Sequence, residues 1–181
     1  AKSPRDDGER PHPAPATERG QEGAKKFNGL GQGPNASGQT DAIAAYTVPF
    51  DGDFQLNDTL FQNTNPCSAG IDLRVYVNDS FVGSRSVASG GSTTFDMPLG
   101  TLTAGDVIYV GTGPQGSDGC DSFALDFTVE TTTLLTEEVA GYQRDFAGPP
   151  AAGWSYLWNE NGELGTAANY SSYTYNGSYY D

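Results

Sequence analysis

The heptapeptide Ile71-Asp-Leu73-Arg-Val75-Tyr-Val77 has an apolar residue at every second position, with Asp72, Arg74 and Tyr76 between. Phe123-Ala-Leu125-Asp-Phe127-Thr-Val129 repeats the pattern. A period of two sends alternate side chains to opposite faces, so each segment reads as a strand with one face in a core. Shorter apolar pieces lie between them: Phe54-Gln-Leu56, Phe81-Val82, Phe95-Asp-Met97 and Val107-Ile-Tyr-Val110. Turn formers bound these pieces at Asp51-Gly52, Asn78-Asp79, Gly90-Gly91, Gly105-Asp106 and Gly113-Pro114. Short strands punctuated so closely predict an all-β fold, an antiparallel β-sandwich or jelly roll, over residues 41–133. No stretch shows sustained helical periodicity with caps.

Charge narrows the partners. The 181 residues carry a net charge of −14. Residues 1–40 hold six cations (Lys2, Arg5, Arg10, Arg19, Lys25, Lys26) against five anions (Asp6, Asp7, Glu9, Glu18, Glu22), a net of +1. The remainder therefore carries −15, with Arg74, Arg85 and Arg144 its only cations. Such a body repels phosphate backbones and anionic lipid, so neither nucleic acid nor a membrane surface is expected as partner. No segment reaches the ~18 apolar residues of a membrane span. The opening Ala-Lys-Ser-Pro-Arg has neither an initiating Met nor a signal-peptide apolar region, as expected of a processed chain or an excised repeat. Cys67 and Cys120 each sit just before a regular strand. A disulfide between them would suit an oxidising, extracellular setting, and two buried free thiols are the alternative.

Residues 1–40 are rich in Pro, Gly and charge and read as an extended arm whose sign suits the acidic body. Residues 134–144 read as a polar connector with Glu137-Glu138. Residues 145–181 change character. Both tryptophans and six of the ten tyrosines lie there. Trp154-Ser-Tyr156-Leu-Trp158 alternates, so its three rings are expected on one side of a strand, sharing one fate. Ser172-Tyr-Thr-Tyr175, with Asn176-Gly177 and Ser178-Tyr-Tyr180, carries a hairpin signal. These strands have too little aliphatic content for a core of their own and must pack against something else.

The succession Ala45-Tyr-Thr-Val-Pro-Phe-Asp-Gly-Asp-Phe54, Leu73-Arg-Val-Tyr-Val-Asn78, Leu102-Thr-Ala-Gly-Asp-Val-Ile-Tyr-Val110 and Cys120-Asp-Ser-Phe-Ala-Leu-Asp-Phe-Thr-Val129 resembles non-catalytic jelly-roll domains of secreted bacterial proteins, similar to carbohydrate-binding modules. In such modules an opening segment often looks like Asp145-Phe-Ala-Gly148 followed by Gly153-Trp-Ser-Tyr-Leu-Trp158, which here comes last. The resemblance implies a sandwich at 41–133 missing its first strands, with 145–181 supplying strands to a sandwich elsewhere. Donation to the next subunit would pair an open sheet edge and propagate head-to-tail as a filament. Folding back on the same chain as a circular permutation, and excision from a tandem array, are the alternatives to this preferred reading.

Catalysis is not expected, because the single histidine, His12, sits between prolines in the arm and offers no base to a Ser or Cys nucleophile. Asp51, Asp53, Asp118 and Asp121 offer hard oxygen ligands that suit calcium, although turn formation and solvated loop charge are the preferred reading. Asn35, Asn57, Asn78, Asn169 and Asn176 each begin an Asn-x-Ser/Thr sequon, against roughly two expected by chance, and are candidate glycan acceptors. Trp154, Tyr156, Trp158, Tyr173 and Tyr175 would form an interface if buried or stack on sugar if exposed, and burial is preferred. The sequence thus points to a secreted structural subunit that polymerises with copies of itself. The alternative is a carbohydrate-binding module of a larger protein.

Overall fold

The structure is a computed structural model and describes residues 41–115, 122–132, 137–146, 149–159 and 164–175. Among the described residues ten strands follow in order: β1 (Ala42–Thr47), β2 (Gly52–Asn63), β3 (Ile71–Val77), β4 (Ser80–Val87), β5 (Ser92–Leu102), β6 (Val107–Pro114), β7 (Phe123–Thr131), β8 (Glu137–Gly141), β9 (Trp154–Asn159) and β10 (Tyr170–Ser172). A helical turn, α1 (Tyr142–Asp145), lies between β8 and β9. Two antiparallel sheets form, one ordered β10-β9-β1-β6-β3-β4 and the other β5-β2-β7-β8. Their inner faces share one apolar core, so the fold is an all-β sandwich. No described helix is long and apolar enough to cross a membrane.

The alternation seen in the sequence is the alternation observed. Ile71, Leu73 and Val75 of β3 are buried while Asp72, Arg74 and Tyr76 face outward. β3 and β4 join through a two-residue turn in which Asn78 takes a φ of 51°, a left-handed conformation that asparagine tolerates. Its side chain holds the turn to β6: Oδ1 accepts from Val107 N at 3.0 Å and Nδ2 donates to Asp106 Oδ1 at 3.0 Å.

β2 is longer than the Phe54-Gln-Leu56 signal because its period breaks. Phe54 and Leu56 face the core, as do Thr59 and Phe61, which a single uninterrupted alternation forbids. A β-bulge at Asn57–Thr59, with Asp58 at φ 49°, inserts the residue that switches the parity. Leu60 is thereby turned out to solvent, and the Thr59 hydroxyl is buried without a hydrogen-bond partner among the described residues.

The stretch read as a polar connector is not one. Residues 137–141 pair with β7, and Ala140 and Tyr142 enter the core. The acidic pair Glu137-Glu138 masked the apolar residues beside it. Residues 1–40, including His12, lie outside the described residues.

Phe61 is fully buried in the centre of the sandwich, whereas Phe81 on β4 is 58% exposed. Phe61→Ala is expected to lower stability by about 3–5 kcal/mol, and Phe81→Ala by at most about 0.5 kcal/mol. Denaturant unfolding of the two variants checks the ranking.

Candidate functional site

The C-terminal segment folds back onto its own chain. β9 pairs antiparallel with β1, from Ala42↔Trp158 to Tyr46↔Trp154, and β10 extends the sheet beyond it. The ladder continues past the strand, with Thr47 N donating to Gly153 O at 2.9 Å. Gly153 has a φ of +86°, and a Cβ there would lie 2.9 Å from Tyr46 Cε2, so a side chain at 153 would collide with the ring that β9 packs against.

Inward, Trp154 and Tyr156 complete an aromatic cluster that ties the two sheets together. The Trp154 ring lies 5.1 Å from Tyr46, 5.8 Å from Phe127 and 5.8 Å from Tyr142. Tyr156 lies 4.7 Å from Phe146 and 6.3 Å from Tyr142. Phe127 and Tyr142 stack at 5.0 Å with planes 9° apart.

Outward, the chain after β9 returns over the other face of the same sheet. Leu164 is buried against Gly111, where an added Cβ would meet Leu164 Cδ1 at 2.5 Å. Tyr170 packs edge-on against Tyr109 at 5.1 Å, and its hydroxyl accepts from Gly165 N at 2.7 Å. Ala167 N donates to Asp79 Oδ1 at 2.8 Å. The sheet is thus covered on both faces, and Ala42 to Tyr46 of β1, which lies between β9 and β6, are all buried.

Two carboxylates hold the ends of β9. At the Asn159 end, Asp41 N donates to Asn159 Oδ1 at 2.6 Å and Asn159 Nδ2 donates to Asp41 Oδ2 at 3.0 Å. Arg74 Nη2 donates to Asp41 Oδ1 at 3.0 Å. Gly113 makes room for this arrangement, since a Cβ there would fall on Asp41 Oδ1. Asp41 is 2% exposed, and burial raises its pKa against the opposing pull of Arg74 and Asn159. At the Trp154 end, Asp145 Oδ2 accepts from the Trp154 indole at 3.3 Å and from Gly141 N at 3.0 Å, while Arg144 Nε donates to Oδ1 at 2.7 Å. Burial pushes Asp145 up, but these donors outweigh it and hold the carboxyl below its ordinary value.

The aromatic residues do not share one fate as the alternation implied. Trp154 and Tyr156 are buried, whereas Trp158 is only half-buried. Trp158 lies at the end of the strand, opposite the small Ala42, with Tyr173 6.4 Å away. Tyr173 N donates to Tyr156 O at 2.9 Å, and burial raises the Tyr173 hydroxyl pKa strongly. Tyr175 is half-buried, and the hairpin expected through Asn176-Gly177 lies outside the described residues.

The other candidate residues are scattered. Asp51 Oδ1 accepts from Ala104 N at 2.8 Å and Asp53 Oδ1 accepts from Thr101 Oγ1 at 2.5 Å, so each is engaged in a loop or cross-strand bond. Asp118 and Asp121 lie outside the described residues, among which no group of three or more metal-ligating side chains comes together. Cys67 is disulfide-bonded, and the other cysteine of the sequence, Cys120, lies outside the described residues. Of the sequons, Asn57 donates to Glu130 Oε2 at 3.1 Å beside the buried Thr59. Asn78 is exposed but holds the β3–β4 turn, and Asn169 is half-buried in the 3₁₀ turn Ala167–Asn169. Asn35 and Asn176 lie outside the described residues.

Sequence reasoning missed Asp41, Asn159 and the Leu164–Gly111 contact. The available signal was Gly111-Thr-Gly113 inside a strand, since glycine there marks a close approach by other atoms. Comparison with family models, with curated protein sequences and with solved structures gives no match.

The pKa of Asp41 is raised on folding, so its stabilising contribution is complete below the ordinary carboxylate pKa and is lost as pH rises through the folded value. The stability of the wild type relative to Asp41→Asn should therefore fall as pH increases across that window. Parallel denaturant titrations from about pH 3 to pH 7 check this, and a difference independent of pH would contradict it.

Proposed function

We propose that this chain is a non-catalytic structural subunit of an extracellular filament, built by exchange of the segment 149–175 between copies of a jelly-roll-like sandwich. The observation that carries the reading is that one contiguous piece of chain near the C-terminal end supplies an inner strand of a sheet, two core aromatic rings and the cover of the opposite face. A subunit lacking it would present the unpaired edge of β1 and the rings of Tyr46, Phe127 and Tyr142. An identical segment from a second copy satisfies the same groups, so closure within a chain and closure between chains use the same contacts. Pro149-Pro150 opens the segment, and consecutive prolines favour an extended hinge. Because donor and acceptor are different surfaces, exchange runs head-to-tail and grows a fibre unless it closes in a ring. The acidic body and the disulfide at Cys67 suit an oxidising exterior.

The second reading is carbohydrate binding. With Trp154 and Tyr156 in the core, stacking on sugar would rest on the half-buried Trp158 and Tyr173, whose planes are 33° apart.

Full-length chains carrying different fluorophores, partly unfolded together and returned to native buffer at high concentration, should show energy transfer, with filaments in negative stain. Trp154→Ala should abolish both, by removing the ring that anchors β9. Chains that remain monomeric at every concentration, without energy transfer, would contradict assembly. Retention on polysaccharide that Trp158→Ala removes would favour sugar binding instead.

A further inference from the structure

The aromatic pattern of β9 does not fix its own register. Trp154, Tyr156 and Trp158 recur every second residue, so a slide of two residues along β1 would keep rings on the inner face and re-form the ladder. The residues that distinguish the observed register lie at the ends of the strand and on its outer side. We infer that Asp41 and Gly111 on the acceptor sheet read the register of the docked segment through Asn159 and Leu164, with Gly153 as the end stop. This makes the acceptor selective for this segment among aromatic strands of the same period. For segments arriving from another copy the inference rests on the exchange reading above; within one chain it stands without it.

Each direction of slip is opposed by different contacts. In one direction Leu157 would replace Asn159 opposite Asp41. The buried Asp41 would then lose the donor to Oδ2 and the acceptor of its backbone N–H, both now supplied by Asn159. In the other direction Asn161 would arrive opposite Asp41, so the amide alone does not exclude that slip. Leu164 would then leave the space over Gly111, where it is 7% exposed on the outer face of the sheet. In both directions the place of Gly153 passes to a residue with a side chain, Ala151 or Ser155, whose Cβ would meet the Tyr46 ring at 2.9 Å. The rings of β9 supply affinity without discrimination, and the outer-face contacts together with the Gly153 stop against Tyr46 supply the discrimination.

Cysteine pairs in the full-length protein read the register directly. Ala45 and Ser155 are partners in the observed register, while Ser155 would face Ile43 after one slip and Thr47 after the other. Directly opposed residues lie within disulfide reach, and diagonal neighbours at about 7–8 Å do not. Ala45→Cys/Ser155→Cys should cross-link under mild oxidation. Ile43→Cys/Ser155→Cys and Thr47→Cys/Ser155→Cys should not. Adding Asn159→Ala and Leu164→Ala should raise the Ile43 cross-link by roughly tenfold, the effect of losing about 1.4 kcal/mol of discrimination. Peptide mapping that finds the Ala45 register alone in the folded double variant would overturn the inference. If the double variant does not unfold cooperatively, Asn159→Ala alone carries the same test with the same two outcomes. The mass of the product separately reports whether the bond lies within one chain or between two, so exchange can fail while register reading holds.

Discussion

The sandwich depends on the contact between the Trp154 and Tyr156 rings and the cluster formed by Tyr46, Phe127 and Tyr142. An aromatic side chain buries about 150–250 Å², worth about 4–6 kcal/mol at 25 cal/mol per Å² as an upper bound. Two such rings rival the whole net stability of a domain this size, about 5–15 kcal/mol. The sheet edge at β1 adds unpaired backbone groups beside them if β9 is absent. The last strands are therefore an integral part of the core, although they are reached only after two sheets have been laid down.

The same strand is held at its ends by carboxylates in opposed electrostatic settings. Asp41 is desolvated and partly compensated by Arg74, so its neutral form is favoured more than in water. Asp145 is surrounded by donors from Arg144, Gly141 and the Trp154 indole, so its charged form is favoured. Acid strengthens the first attachment and loosens the second, because Asp145 loses its contribution as pH falls through its lowered pKa. Neither group is free to act on a solute: their oxygens are occupied by the chain they fasten. Arg144 also pairs with Glu138, joining α1 to β8 in the same corner.

Much of the fold was legible because one physical rule governs it. β3 alternates as its period predicts, and in β7 Leu125, Phe127 and Val129 face the core as predicted, although Ala124, Thr128 and Glu130 between them are buried as well. β2 was legible only as far as Leu56, since the bulge at Asp58 reverses the parity and breaks the pattern a period-two reading looks for. β8 was hidden by Glu137-Glu138, whose charge outweighed Val139, Ala140 and Tyr142 in the local composition. At the docked segment, alternation identified Trp154 and Tyr156 as a pair but not the departure of Trp158, which depends on what stands opposite the strand end. The Asp41–Asn159 bonds join residues 118 apart in the chain, and no local pattern announces such a pairing. Glycine was the one informative trace, at 111, 113 and 153, where what matters is the atom that fills the missing side chain's place.

The central claim is that β9 is as much a part of the cooperative core as β2 and β7. Native-state hydrogen exchange measures this residue by residue. The account predicts that the ladder amides of β9, and those of β1 bonded to it, exchange only through global unfolding, at the same free energy as the amides of β2 and β7. Exchange of β9 at rates near those of an unfolded peptide, while β2 and β7 stay protected, would contradict it.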